Sequence, residues 1–225
     1  MSSAHVALRR FDRRLRHELA CTLVGVDEVG RGSLAGPVVA AAVILLDDAR
    51  IPGLDDSKQL DAEERELVGA AIRVHARAIG VSFVGPRRID ALNIRQASLL
   101  AMRRAILRAG VRLRRARAGA AAADEPGVRA CMVLVDGIDS VPGIDWPQRP
   151  LIAGDGRSLA IAAASVVAKT VRDGFMTRLA RDYPDYGFER NKGYGTPEHL
   201  DALASLGPCT WHRYSYAPVA QGVLF

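Results

Sequence analysis

Little cysteine and no long apolar run mark this chain of 225 residues. Its three cysteines, Cys21, Cys131 and Cys209, stand far apart. An odd number without a C-x-x-C pair argues against a disulfide framework or a zinc site, so a reducing cytoplasm is the expectation. The longest apolar stretch, Val38–Leu46, falls short of the roughly 18–20 residues that a membrane span needs. Arginines crowd the start of the chain at Arg9, Arg10, Arg13, Arg14 and Arg16, but no apolar segment follows them before Asp27. That start does not read as a secretory signal. Internal repeats are absent. So are the phosphate-binding G-x-x-x-x-G-K-[ST], the zinc-binding H-E-x-x-H and the nucleophile elbow G-x-S-x-G. The histidines, His5, His17, His75, His199 and His212, lack ligand spacing; His199 and His212 read as packing or hydrogen-bonding residues.

What is present is an ordinary globular composition, 49% apolar and 25% charged, with a formal net charge of +6. The basic excess is local. Arg103, Arg104, Arg108, Arg112, Arg114, Arg115 and Arg117 share one stretch without an acid. Such a face suits a polyanion, nucleic acid first, although a solvated helix face has the same look. The pattern predicts a basic arm or helix over 1–19 and strands at Cys21–Val26, Val38–Leu46 and Ala78–Val84. A helix is expected from Asp55–Lys58 to about Arg77, and one or two helices over Arg87–Arg117. Strands follow at Cys131–Val135 and Leu151–Ala153. A long Ala-rich helix is expected over Leu159–Ala180, and another over Thr196–Leu206 with Thr196 as cap. This order describes one α/β layer structure spanning 20–219, with a short tail at 220–225.

Four acids stand where chemistry would want them. Asp27 and Glu28 close the first predicted strand, Asp136 closes the fourth, and Asp155 follows the fifth. Strand ends that converge on one sheet edge bring such acids together, and grouped carboxylates repel unless a cation neutralises them. No histidine stands beside any of them, and an all-oxygen donor set favours Mg²⁺ or Mn²⁺ over zinc. Two such ions about 3.5–4 Å apart are the recurring device for phosphodiester cleavage. Acids at strand ends also serve as turn formers or caps, and position alone does not decide.

Six blocks carry a resemblance. They are GVDEVGRGSLAGPVVAAAVIL (Gly25–Leu45), GLDDSKQL (Gly53–Leu60), VDG (Val135–Gly137), GDGRSLAIAAASVVAKTVRD (Gly154–Asp173), YGFERNKGYGTPEHLDAL (Tyr186–Leu203) and GPCTWHRYSYAPV (Gly207–Val219). In order and spacing the chain resembles bacterial ribonuclease HII over almost its whole length. The resemblance implies a ribonuclease H-like fold, a mixed five-stranded sheet flanked by helices, with a C-terminal helical extension. It implies a metal-dependent endoribonuclease that degrades the RNA strand of RNA–DNA hybrids and incises 5′ of ribonucleotides embedded in duplex DNA. The products are a 3′-hydroxyl and a 5′-phosphate, and the roles are ribonucleotide excision and RNA primer removal.

By the same resemblance, Asp27, Glu28, Asp136 and Asp155 are the catalytic acids and hold two ions, Mn²⁺ or Mg²⁺. Gly30, Arg31 and Gly32 match the loop that meets the ribonucleotide's 2′-hydroxyl and phosphate; glycine permits close approach there, and the 2′-hydroxyl is what separates RNA from DNA. Tyr194 matches the tyrosine that packs on the sugar at the junction. Lys58 and Lys192 are candidate phosphate contacts. Ser33 stands where proline is expected and Gln59 where lysine is common. A catalytically idle hybrid-binding module is the competing class; it would tolerate Asn or Ala at one of the four acids, and all four are acids here. The last residues, Gln221, Gly222, Val223, Leu224 and Phe225, resemble the pentapeptide by which bacterial replication proteins dock in the sliding clamp. The family further suggests a monomer.

Overall fold

A computed structural model describes residues 3–54, 60–119 and 131–221. Its sheet has five strands, β1 (Thr22–Val29), β2 (Val38–Leu45), β3 (Ala76–Val84), β4 (Cys131–Asp136) and β5 (Gln148–Leu151), in the order β3-β2-β1-β4-β5. β1, β2 and β3 pair antiparallel, while β4 runs parallel to both β1 and β5. The expected mixed five-stranded sheet is what forms.

The continuous apolar run of β2 has a direct cause: both faces of the sheet are covered. Val38, Ala40, Ala42 and Ile44 pack with Ala101, Ala105 and Ile106 of α4 (Ile94–Gly119). Ala41, Val43 and Leu45 pack with Ala163, Val166 and Val167 of α5 (Leu159–Asp182). Alanines along α5 let that helix lie close to β1. A Cβ placed on Gly25 would stand 2.1 Å from the backbone carbon of Ala160, so the helix backbone occupies the space of a side chain.

α1 (Ser3–Leu19) realises the helical alternative for the N-terminal segment; it buries Leu8, Asp12 and Leu15. α2 (Ala62–His75) begins later than the sequence pattern predicts, because Asp61 and Glu64 form a reciprocal capping box there. The predicted helix start at 55–58 lies outside the described residues. The stretch 87–117 resolves into α3 (Pro86–Leu92) and α4. Within α4, Arg108 and Arg112 donate to the carbonyl oxygens of Val81 and Ile79, the latter at 2.6 Å. β3 is an edge strand, so these two arginines, though exposed, reach two of its carbonyls. β5 starts upstream of the predicted Leu151–Ala153 and shares Leu151 with it.

The C-terminal extension comprises α6 (Phe188–Asn191), α7 (Pro197–Leu206) and α8 (Ala217–Gln221). Thr196 caps α7 as the sequence predicts, accepting from the His199 N–H at 3.3 Å. Tyr186, Phe188 and Trp211 dock this extension against Met176 and Leu179 of α5 and against Ala35. Among the described residues, no helix is long and apolar enough to cross a membrane.

Candidate active site

The pleat decides where each acid points, since successive side chains alternate faces. On β1, Leu23 packs with Ile161 on the α5 side and Gly25 meets α5, so Asp27 shares that face. On β4, Leu134 lies in the same cluster, so Asp136 shares it too. Val26 pairs with Val135 in the parallel register. One residue further on, Asp27 and Asp136 stand side by side on adjoining strands. Glu28 projects to the opposite side of the pleat, and β1 runs one residue beyond it to Val29 rather than ending at the acids.

Asp27 is buried at 6% exposure and accepts from the Glu28 N–H at 2.7 Å. Burial, reinforced by the charges of Glu28 and Asp136, pushes its pKa well above its ordinary value; a hydrogen bond from Ser165 of α5 opposes this. Burial raises Glu28 as well; Arg31 opposes that shift and Asp136 adds to it. The Arg31 guanidinium reaches Glu28 at 3.2 Å. Asp136 accepts the Gly154 N–H at 2.6 Å, and the next residue, Asp155, sits in a single 3₁₀ turn (Gly154–Gly156), accepting from Gly156 at 3.0 Å. The fold thus brings Asp27, Glu28 and Asp136 into charge contact and ties the turn of Asp155 to Asp136. Among the described residues, no three His, Cys, Asp or Glu side chains form a ready-made metal cage. The donor set nevertheless fits a hard divalent cation. It offers only oxygens, and a divalent ion among them would offset both the burial and the neighbouring charges that raise Asp27.

The loop after β1 is held from beneath by two buried arginines that sequence reasoning passed over. Gly30 has φ +89°, and a Cβ there would stand 2.1 Å from Nε of Arg172. Arg213 donates to the carbonyls of Gly30 (2.6 Å), Arg31 (2.8 Å) and Gly36 (3.0 Å). Arg172 donates to Pro37 (3.0 Å) and Ala35 (3.2 Å), and its Nη1 has no hydrogen-bond partner. Burial pushes the Arg172 pKa down to about 10. Both arginines belong to the quoted sequence blocks, but an arginine buried among carbonyls has no signature of its own in a sequence.

Tyr194 is half-buried, with Arg172 5.4 Å and Lys169 5.9 Å from its ring centroid. The Gly193 carbonyl accepts from Leu34 at 2.7 Å and Ala35 at 3.2 Å, which places Tyr194 against the 30–37 loop. Lys192 is turned elsewhere: its ammonium donates to Thr177 Oγ1 (2.7 Å) and the Glu189 carbonyl (2.6 Å). Lys58, Leu224 and Phe225 lie outside the described residues; Gln221 is exposed at the end of α8.

The sheet order, the two covering helices and acids at the ends of neighbouring parallel strands define a ribonuclease H-like nuclease fold. The ribonuclease HII family model matches residues 24–219. Ribonuclease HII of Paramagnetospirillum magneticum is 48% identical over 219 residues, covering 95% of this chain and 99% of that one. Ribonuclease HII of Rhizorhabdus wittichii is 50% identical over 216 residues, covering 96% of each. This chain belongs to the ribonuclease HII family. It is an endoribonuclease that cleaves the RNA strand of RNA–DNA hybrids, and its family depends on divalent metal ions. In fold it is similar to the structure of the PCNA:RNase HII complex from Archaeoglobus fulgidus, with a TM-score of 0.69 at 24% identity, over 89% of this chain and 96% of that one. It is similar also to Bst-RNase HIII in complex with Mn²⁺, with a TM-score of 0.68 at 19% identity, over 92% and 71%.

Proposed function

We propose that the enzyme incises 5′ of single ribonucleotides embedded in duplex DNA as well as degrading longer hybrids, leaving a 3′-hydroxyl and a 5′-phosphate. Asp27, Glu28, Asp136 and Asp155 would hold two divalent ions, Mg²⁺ or Mn²⁺. When bound, such ions lower the pKa of an attacking water and neutralise charge on the leaving oxygen. The observation that supports this reading is the parallel register that sets Asp27 beside Asp136 on one face.

The rest of the site belongs to the protein's own groups. The Gly30–Gly32 loop, its carbonyls drawn inward by Arg213, approaches the 2′-hydroxyl and the neighbouring phosphate through backbone. The Tyr194 ring packs on the sugar at the junction and crowds a second 2′-hydroxyl. Arg31 exchanges Glu28 for a phosphate as substrate enters, which frees the carboxylate. Lys58 and Lys192 are phosphate contacts in this reading, Lys192 by leaving Thr177. Ribonucleotide excision and RNA primer removal follow as roles.

The test is cleavage of a duplex carrying one ribonucleotide, with both product ends mapped, with and without Mg²⁺ or Mn²⁺. A cut 5′ of the ribonucleotide that requires the ion supports the reading. Cleavage of long hybrids alone, or a cut on the 3′ side, refutes it. The tail from Gln221 through Leu224 and Phe225 is proposed to dock in the bacterial sliding clamp; the Archaeoglobus relative was solved with PCNA. Deleting 223–225 abolishes clamp binding in calorimetry if so, and unchanged affinity removes the idea.

A further inference from the structure

Two imidazoles lie buried behind Tyr194. His199 and His212 are both 0% exposed, and their Nε2 atoms are 3.0 Å apart. Their outer nitrogens meet backbone: the Cys209 N–H points at His212 Nδ1 (3.0 Å), and His199 Nδ1 faces the Tyr194 carbonyl oxygen (2.9 Å). One neutral arrangement satisfies all three contacts. An N–H can only donate, so His212 Nδ1 is a lone pair and its proton sits on Nε2. That proton is donated to His199 Nε2, which places the His199 proton on Nδ1. A carbonyl can only accept, and Nδ1–H donates to Tyr194. The chain therefore runs from Cys209 through His212 and His199 to Tyr194, each link fixing the next.

The surroundings favour the neutral pair. Phe188 stands edge-on to His199 at 5.4 Å, and the Tyr186 ring lies 5.0 Å from His212. The titratable neighbours, the Tyr186 phenol and the Cys209 thiol, are both pushed up by burial and stay uncharged. Charged neighbours in sequence face away: Arg213 onto the 30–36 carbonyls, Glu198 onto Arg190. Burial lowers both histidines, His212 to about 4 with the charge of His199 adding to the effect. A second proton would set two N–H groups against each other, between the rings or at Cys209.

We propose that His199 and His212 are positioning residues, a single-tautomer hydrogen-bond chain that fixes the backbone of Tyr194 and so the height of its ring over the 30–37 loop. The proposal deepens the reading of Tyr194 as the sugar contact and rests on it. The pair never touches substrate; it acts through the Tyr194 carbonyl, which also accepts from Thr196 at 2.8 Å.

The first test needs no variant. Long-range ¹H–¹⁵N correlation of the whole protein at neutral pH reports the tautomers: Nε2–H on His212 and Nδ1–H on His199 are expected, and any other pair of tautomers, or a charged ring, overturns the proposal. The second test is kinetic. His199→Phe keeps the aromatic packing and loses the donor; it raises KM for the single-ribonucleotide duplex about tenfold with kcat little changed. His199→Asn, which retains a donor near Nδ1, recovers most of the loss. Adding His199→Phe to Tyr194→Ala costs nothing more, because the pair acts only through Tyr194. Unchanged KM in His199→Phe, alongside a raised KM in Tyr194→Ala, overturns the role of the pair alone. Unchanged KM in Tyr194→Ala overturns the reading of Tyr194, and with it the functional half of the proposal.

Discussion

The guanidinium of Arg213, fully buried near the end of the chain, donates to the carbonyl oxygen of Gly30 at 2.6 Å. The same fork reaches Gly36 at 3.0 Å through Nη2 and Arg31 at 2.8 Å through Nη1. A residue from the C-terminal extension thereby sets the shape of the loop that follows Asp27 and Glu28.

Arg213→Lys keeps the charge but cannot span three carbonyls, since an ammonium lacks the planar fork. Unfolding in urea should show a loss of about 3 kcal/mol, in the range for a broken buried polar contact. KM for the hybrid should rise in parallel. Wild-type stability in Arg213→Lys would mean that the loop holds its shape unaided.

Asp136→Asn retains the acceptor for the Gly154 N–H, so the turn carrying Asp155 should stay in place. What it loses is the charge. Affinity for an RNA–DNA hybrid should hold within a few-fold while the single-turnover rate falls about a thousandfold, the equivalent of about 4 kcal/mol. A variant that cuts at wild-type speed would remove Asp136 from the catalytic set.

Asp12 of α1 accepts the Ala160 N–H at 3.0 Å at the start of α5, and burial raises its pKa to about 6 from 3.8. A folded-state pKa above the unfolded one means the native protein holds the proton more tightly between those values. Stability therefore falls as pH rises from about 4 to 6 and stays lower above that. The span is worth up to about 3 kcal/mol. Urea midpoints of the wild type should be higher at pH 5 than at pH 7 relative to Asp12→Asn, which has no proton to lose. Parallel pH profiles in the two proteins would refute the shift.

Glycine substitutions should split by position. Gly25→Ala drives a methyl into the Ala160 backbone, 2.1 Å away, and should cost about 3 kcal/mol, since a helix backbone has little room to yield. In α2 the nearest atom to a Cβ on Gly69 is 3.7 Å away. Gly69→Ala should therefore stabilise by about 1 kcal/mol through helix propensity. Differential scanning calorimetry of both variants reads the contrast.

Local signals in the sequence determined a good deal. The unbroken apolar run at Val38–Leu46 meant a fully buried strand, and Thr196 before Pro197 meant a helix start; both follow from chemistry within a few residues. Resemblance supplied the family and named the four acids. Tertiary structure decided the rest, because pairing depends on partners far away in the chain. Asp27 and Asp136 share a face only through the parallel register of β1 and β4. Glu28, their neighbour in sequence, lies across the pleat. Arg108 and Arg112, from a stretch that reads equally as a polyanion face or a solvated helix face, donate to carbonyls of edge strand β3. Arg172, Arg213 and the fixed tautomers of His199 and His212 had no local signature at all. A buried donor acquires its meaning from the acceptor it meets, and only the folded chain brings the two together.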